Sequence, residues 1–102
     1  MKKCYIAGKI GDLPESVYLP LFEQGEAEVH ALGYEPISPT KLPHAHSKAY
    51  GSFMREDIRE MLKEDCVAVY ALRNWRHSPG AIQEINTAIF CGLDIIQQPP
   101  LK

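Results

Sequence analysis

Apolar residues along the chain form short runs separated by longer segments with apolar positions at helical spacing. The short runs are rich in β-branched and aromatic residues and predict strands at residues 3–7, 34–37, 66–72 and 94–96. The longer segments predict helices at residues 15–32, 52–64 and 79–91, the first of them bent at Pro20 or beginning near it. Because strands and helices alternate, we expect an α/β fold with a parallel sheet between two helical layers.

The run at residues 66–72 is apolar throughout, which is typical of a central strand covered on both faces. We therefore predict a three-layer α/β/α sandwich with a doubly wound, flavodoxin-like parallel sheet of four to five strands. Ligands of such folds bind beyond the carboxyl ends of the strands, near the point where the strand order reverses. The segments after the first three strands should meet there: residues 8–12, the loop from Pro39, and residues 73–80.

Composition limits the classes of function. A chain of 102 residues supports one domain over residues 1–102, and a net charge of −2 provides no field that would attract nucleic acid or an anionic membrane. The N-terminus has no signal-peptide core, and no apolar run reaches membrane-spanning length. The three cysteines are dispersed in or beside apolar runs, so we expect buried thiols in a reducing, cytoplasmic compartment.

The helix at residues 79–91 carries an acidic residue near its predicted core side. Ser78 is a good N-cap, and three isoleucines at helical spacing predict the buried side: Ile82, Ile85 and Ile89. Glu84 lies beside that stripe, with Gly80 one turn before it and Ala88 one turn after it. Two small neighbours would leave room for a pocket around the carboxylate. Alternatively, Glu84 is an ordinary solvated residue of a surface helix.

Asp57 is a second unusual carboxylate. On the helix at residues 52–64 it falls between Phe53 and Met61 on the apolar face. A charged group there is costly unless it is hydrogen-bonded or opens into a polar cavity. Two interpretations follow: a functional carboxylate at the ligand-binding edge, or a buried aspartate paired with a backbone amide or an arginine.

Other candidates are less specific. Tyr5 on the first strand is most simply a packing residue, Gly8 permits close approach of a ligand, and Lys9 can meet an anion. Trp75 either stacks on a base or packs under its loop. The pair His44 and His46 lacks a third ligand nearby, so we expect no metal site.

Taken together, three stretches resemble the nucleoside 2-deoxyribosyltransferase superfamily, which includes the deoxynucleoside 5′-monophosphate N-glycosidases. They are residues 5–8 (YIAG), residues 53–57 (FMRED), and residues 78–81 (SPGA) followed by Glu84 and Ala88. Trp75 ahead of the third stretch is similar to short members of that superfamily whose activity is uncharacterised.

The resemblance implies an N-glycosidic-bond enzyme acting on a 2′-deoxynucleoside or its 5′-monophosphate, without metal or organic cofactor. It implies that Glu84 is the nucleophile at the sugar C1′, that Asp57 holds or protonates the reacting groups, and that Tyr5 lines the sugar pocket. It also implies a homodimer or larger assembly in which a neighbouring subunit completes each pocket. The alternative is a nucleotide-binding or sensing module of the same fold without turnover.

Ser78 bears on the substrate. The resemblance implies an aspartate at this position in transferases of free nucleosides and a serine in monophosphate hydrolases. A serine hydroxyl at a helix N-terminus suits a 5′-phosphate, whereas a carboxylate would repel it. Together with Ser78, we expect Lys9, Gly8 and Gly80 to contact the substrate and Trp75 to flank the base. The turn after the first strand differs from that of the monophosphate hydrolases. This chain has Lys9 and Gly11 at positions where those hydrolases have serine and arginine.

Overall fold

Strands and helices alternate along the chain as the sequence pattern predicts. The computed structural model describes residues 1–42 and 50–101. The strands are β1 (Lys3–Ala7), β2 (Glu35–Ile37), β3 (Cys66–Ala71) and β4 (Asp94–Gln97). The helices are α1 (Glu15–Ala31), α2 (Tyr50–Met61) and α3 (Pro79–Phe90), and short 3₁₀ turns at Pro39–Lys41 and Trp75–His77 follow β2 and β3.

The four strands form one parallel sheet in the order β2-β1-β3-β4. Strands β1 and β3 are central and pair along their length, with Tyr5 opposite Val69 and Ala7 opposite Ala71. The strand order reverses between them, because the chain moves from β1 outward to β2 and then returns across β1 to β3. The predicted doubly wound, flavodoxin-like fold is confirmed, and the ligand-binding edge is where β1 and β3 end.

Alternating side chains of the central strands pack against different helices. The α1-side core is defined by seven buried residues: Cys4, Ile6, Phe22, Val29, Ala68, Tyr70 and Leu72. The α2/α3-side core is defined by ten buried residues: Tyr5, Ala7, Ile37, Met61, Cys66, Val69, Ala71, Ala81, Ile85 and Ala88. From Cys4 to Ala7 on β1 and from Ala68 to Leu72 at and after β3, successive residues thus face opposite layers, the period-two pattern of a strand covered on both sides. Cys66 lies before a register shift between the two strands and departs from this alternation. The predicted three-layer sandwich is confirmed.

Some local predictions differ from the structure. Helix α1 begins at Glu15 and continues through Pro20. Pro20 lacks an N–H and so removes one helix hydrogen bond, but it is exposed, where water can satisfy the carbonyl left without that bond. Leu32, the last residue of the helix predicted at residues 15–32, follows the end of α1 and is exposed. Cys91 is exposed beyond the end of α3, whereas Cys4 and Cys66 are buried as predicted. Within the described residues, no helix combines the length and apolar character needed to cross a membrane.

Candidate functional site

A cavity of about 630 Å³ opens at the carboxyl edge of the sheet. It is bounded by the turn after β1, the turn after β2, the inner face of α2 and the first turns of α3. Six of the residues singled out in the sequence line it: Gly8, Lys9, Asp57, Ser78, Gly80 and Glu84. The volume lies within the range of about 300–1,000 Å³ that small-molecule sites occupy. The two carboxylates from separate helices therefore share one cavity.

Glu84 is more deeply buried than predicted, because the sequence places it only beside the stripe of isoleucines on its helix. The buried residues of α3 are Ala81, Glu84, Ile85 and Ala88, which follow the i, i+3, i+4, i+7 pattern of one helix face. Glu84 is 5% exposed, whereas Ile89, predicted to be a core residue, is 58% exposed. The carboxylate thus takes a central position on the packed face, and Ala81 and Ala88 are the small side chains one turn on either side.

The Glu84 carboxylate is held by the first strand. The Tyr5 hydroxyl donates a hydrogen bond to Glu84 Oε2 at 2.6 Å, and Tyr5 itself is fully buried. The two residues are 79 positions apart in the chain and meet because α3 packs across β1 and β3. Burial, together with the negative charges of Glu84 and Asp57, raises the pKa of Tyr5 well above its usual value. Tyr5 therefore remains a hydrogen-bond donor to Glu84.

The second carboxylate, Asp57, lies on the inner face of α2 and is 8% exposed. Its charge acts on Glu84, whose pKa is raised to about 8. Burial is the main cause of that shift, the hydrogen bond from Tyr5 opposes it, and repulsion by Asp57 adds to it. Because the two buried carboxyl groups repel each other when both are charged, the pair can retain one proton at neutral pH, as general acid–base chemistry requires.

The first turn of α3 forms another wall of the cavity. The Ser78 hydroxyl oxygen accepts a hydrogen bond from the Ala81 N–H at 3.1 Å and so caps the helix as predicted. Lys9, Asp12 and the positive end of the α3 dipole border the same cavity as Ser78. The Lys9 cation and the start of α3 are groups that can receive an anion, and the Asp12 carboxylate opposes it.

Gly8 is required by packing. A Cβ atom at this position would lie 2.6 Å from Leu72 Cδ1, because the turn after β1 lies directly on the buried Leu72 side chain. The next residue, Lys9, donates its backbone N–H to Asn74 Oδ1 at 3.0 Å. No sequence motif distinguishes Asn74 from other loop residues. The available signal was an amide side chain in the loop after a strand, a residue type that often bonds to a neighbouring backbone.

Further cavity residues were also missed. Apolar and aromatic side chains extend the wall away from the carboxylates: Ile10, Tyr18, Phe53 and Met54. Thr40 after β2 and His77 before α3 add polar groups. The sequence placed these residues on elements near the ligand-binding edge, but their spacing carried no signal that distinguishes them from packing residues.

Trp75 does not line this cavity. Its ring packs partly against the α2/α3-side core, and the Arg76 guanidinium lies 4.6 Å from the ring centroid. It borders a separate depression of about 400 Å³ between the loop after β3 and the chain after β4. Of the two interpretations of Trp75, packing under the loop is the one that describes its position.

The histidine pair considered as a metal site, His44 and His46, lies outside the described residues. Among residues 1–42 and 50–101, no group of three or more His, Cys, Asp or Glu side chains is arranged to hold a metal ion.

Comparison with known proteins agrees with this fold. The family model described as a domain of unknown function, DUF4406, matches residues 2–97. No curated protein sequence matches the chain. A solved structure titled 2-desoxiribosyltransferase from Leishmania mexicana superimposes with a TM-score of 0.65 and 19% sequence identity over 95% of this chain. This chain spans 63% of the length of that protein.

At 19% identity the superposition establishes the fold, and this fold is the one that the resemblance implied. The family match covers the whole sheet and all three helices. The chain therefore belongs to the DUF4406 family and has the α/β fold of a 2-deoxyribosyltransferase.

Proposed function

We propose that this protein cleaves or transfers the N-glycosidic bond of a 2′-deoxynucleoside or its 5′-monophosphate, with Glu84 as the nucleophile. One observation carries the proposal: Glu84 is buried on the packed face of α3 and hydrogen-bonded to Tyr5, yet borders a cavity of about 630 Å³ together with Asp57. A carboxylate kept on a core face at such cost is typical of a functional site.

The proposed reaction has two steps. A Glu84 carboxylate oxygen attacks C1′ while the bond to the base breaks through an oxocarbenium-like transition state, and the base leaves with the bonding electron pair. Asp57 in its protonated form donates a proton to the departing base. In the second step Asp57 accepts a proton from water, which attacks C1′ and releases Glu84. When a second base takes the place of water, the result is transfer instead of hydrolysis.

The ionisation of Glu84 governs the first step. Only the carboxylate form attacks C1′, and a pKa of about 8 leaves most molecules protonated at neutral pH in the empty cavity. The Tyr5 hydrogen bond favours the reactive, ionised form. Because Asp57 is the acid in this mechanism, the reactive form carries the retained proton on Asp57 and the negative charge on Glu84. We therefore expect kcat/KM to fall as pH rises through about 8, where the pair loses that proton.

The anion-receiving wall favours a phosphorylated substrate. Lys9, Ser78 and the start of α3 can bind a 5′-phosphate, while the apolar wall at Phe53 and Met54 suits the base. A deoxynucleoside 5′-monophosphate thus matches the cavity better than a free nucleoside does. No metal or organic cofactor is needed for this chemistry.

A second candidate function is a nucleotide-binding module without turnover. It is favoured by the raised pKa of Glu84, because a protonated carboxyl group is a weak nucleophile at neutral pH. The two functions differ in their product: free base in the first case and an unchanged nucleotide in the second. A homodimer or larger assembly and a cytoplasmic location remain predictions from the sequence.

The deciding experiment measures free base by chromatography after incubating the protein with each deoxynucleoside and each 5′-monophosphate between pH 6 and pH 9. We expect base release by the natural protein and a loss of roughly a thousandfold or more in Glu84→Gln. The matched control is Gln83→Ala, an exposed position on the same helix, which should retain activity. Tight binding without base release at any pH would favour the sensing module and contradict the enzymatic proposal.

A further inference from the structure

Asn74 joins two parts of the cavity wall without lining the cavity itself. The pairing of β1 with β3 ends with Ala7 opposite Ala71 and with the hydrogen bond from the Leu72 N–H to the Ala7 carbonyl, 2.9 Å long. Beyond that point the Asn74 side chain connects the two segments through the 3.0 Å bond that Oδ1 accepts from the Lys9 N–H. The turn that carries Lys9 is thus attached to the loop that leads into α3.

The backbone of Asn74 organises the other side of this connection. Its carbonyl accepts a hydrogen bond from the His77 N–H at 3.0 Å, closing the 3₁₀ turn that ends at Ser78. Its dihedral angles, φ −90° and ψ 9°, lie in the bridge region, which is common at the third position of a tight turn. Asn74 therefore holds the backbone of Lys9 through its side chain and closes the turn before Ser78 through its own carbonyl.

We propose that Asn74 is a positioning residue that sets the preference of the cavity for a phosphate monoester over a free hydroxyl at the 5′ end of the ligand. This inference rests on the phosphorylated substrate of the proposed function. Lys9 and the first turn of α3 stabilise a phosphate only when both face the same point, because charge-assisted hydrogen bonds weaken steeply with distance and angle. The base and the sugar are bound elsewhere in the cavity and do not depend on this alignment.

Substituting Asn74→Ala removes the acceptor and leaves the Lys9 N–H unpaired. We expect the Kd for a deoxynucleoside 5′-monophosphate to rise about fivefold, the effect of one lost hydrogen bond, while the Kd for the matching deoxynucleoside changes by less than about twofold. Isothermal titration calorimetry with both ligands measures this. The control is Asn86→Ala, the same change at an exposed position of α3, which should leave both constants unaltered.

A double-mutant cycle separates positioning from general loosening of the protein. Lys9→Ala removes the cation but keeps the backbone N–H that Asn74 binds. If Asn74 acts by positioning Lys9, Asn74→Ala should weaken phosphate binding much less in the Lys9→Ala background than in the natural one. Fully additive effects would overturn the proposal, as would an equal loss of affinity for both ligands in Asn74→Ala.

A second variant covers the case in which Asn74→Ala does not fold. Asn74→Leu keeps the size of the side chain but removes the acceptor of the Lys9 N–H, so only the monophosphate should bind more weakly. Trp75, the single tryptophan of the chain and the neighbour of Asn74, reports the state of the loop by its fluorescence. An unchanged ligand preference in a folded Asn74→Leu variant would contradict the proposal.

These measurements do not depend on catalysis. The natural protein could prefer the monophosphate, lose that preference in Asn74→Ala, and yet release no base. That result would contradict the enzymatic function and support the role of Asn74. Base release by a natural protein that shows no preference for the monophosphate would support the enzymatic function and contradict the role of Asn74. Failure of the natural protein to bind either ligand would contradict both.

Discussion

The two sides of the sheet use the same strands for different purposes. On the α1 side, Ile6, Tyr70 and Leu72 pack against Phe22 and Val29 to form a dry core. The polar groups of this side are at its edge, where the Tyr70 hydroxyl and the Gln98 amide both donate to Glu28 Oε1, at 2.8 and 2.7 Å. These hydrogen bonds fasten the chain after β4 to α1.

On the α2/α3 side, polar groups lie within the packed layer. Tyr5 alternates with Ile6 on β1, yet its hydroxyl points to the buried carboxylate of Glu84. The residues around it are small, notably Ala7, Ala71 and Ala81, and the layer opens into the cavity beside them. The α1 side therefore contributes mainly stability. The α2/α3 side is packed less closely and buries a carboxylate, which costs stability but forms the candidate site.

The largest expected effect concerns pH. Unfolded Glu84 ionises near 4.5, whereas in the folded protein it retains its proton up to about 8, so the folded state binds more protons between these values. The free energy of unfolding should therefore fall as pH rises from 4.5 to 8, by up to about 5 kcal/mol from this group. Urea unfolding at several pH values measures this.

Glu84→Gln is the control for this pH effect, because it cannot ionise. The difference in stability between Glu84→Gln and the natural protein should grow in favour of the variant with rising pH and level off above pH 8. A constant difference would show that Glu84 ionises normally in the fold.

Phe22→Ala should destabilise the α1-side core without altering the candidate site. Removing this fully buried ring leaves a cavity in the dry core and should lower the free energy of unfolding by about 4 kcal/mol. Base release per folded molecule should change by less than about twofold, since Phe22 contacts the opposite face of the sheet from the site. Urea unfolding and the base-release assay test the two statements, and a large loss of kcat in folded protein would contradict the separation of the two sides.

Tyr5→Phe should affect the α2/α3 side with little loss of packing. The change keeps the ring and removes the hydrogen bond that favours ionised Glu84, an effect of about 2 kcal/mol. The proton that the two carboxyl groups retain should then lie on Glu84 instead of Asp57 in a larger share of molecules, so kcat/KM at pH 7 should fall at least about tenfold, and the falling limb near pH 8 should move to higher pH. A pH–rate profile identical to that of the natural protein would contradict this role of Tyr5.

Ser78→Asp should have the smallest effect, and it tests whether the wall formed by Lys9, Ser78 and the start of α3 binds a 5′-phosphate. Aspartate caps a helix as well as serine does, so α3 should persist, but its charge would repel a 5′-phosphate. We expect the ratio of kcat/KM for monophosphate over nucleoside to fall about tenfold. Ser78→Ala, which removes the cap without adding a charge, is the control, and an unchanged ratio in Ser78→Asp would count against phosphate binding at this wall.

Much of the fold follows from the sequence alone. The alternation of apolar runs and amphipathic segments predicted the order of all the strands and helices, since period-two and period-3.6 patterns are local properties. Local chemistry also predicted Ser78 as the cap of α3 and singled out Asp57, because a carboxylate among apolar helix positions conflicts with the pattern around it. The resemblance of three short stretches added the assignment of Glu84.

Tertiary structure decided what local pattern could not. The sequence left Glu84 beside a stripe of isoleucines, and only the packing of α3 on the sheet buried it and exposed Ile89. The Tyr5–Glu84 and Lys9–Asn74 hydrogen bonds join residues 79 and 65 positions apart, so no local spacing signals them. The raised pKa of Glu84 depends on burial and on Asp57 from another helix, which are properties of the assembled layers and not of any single segment.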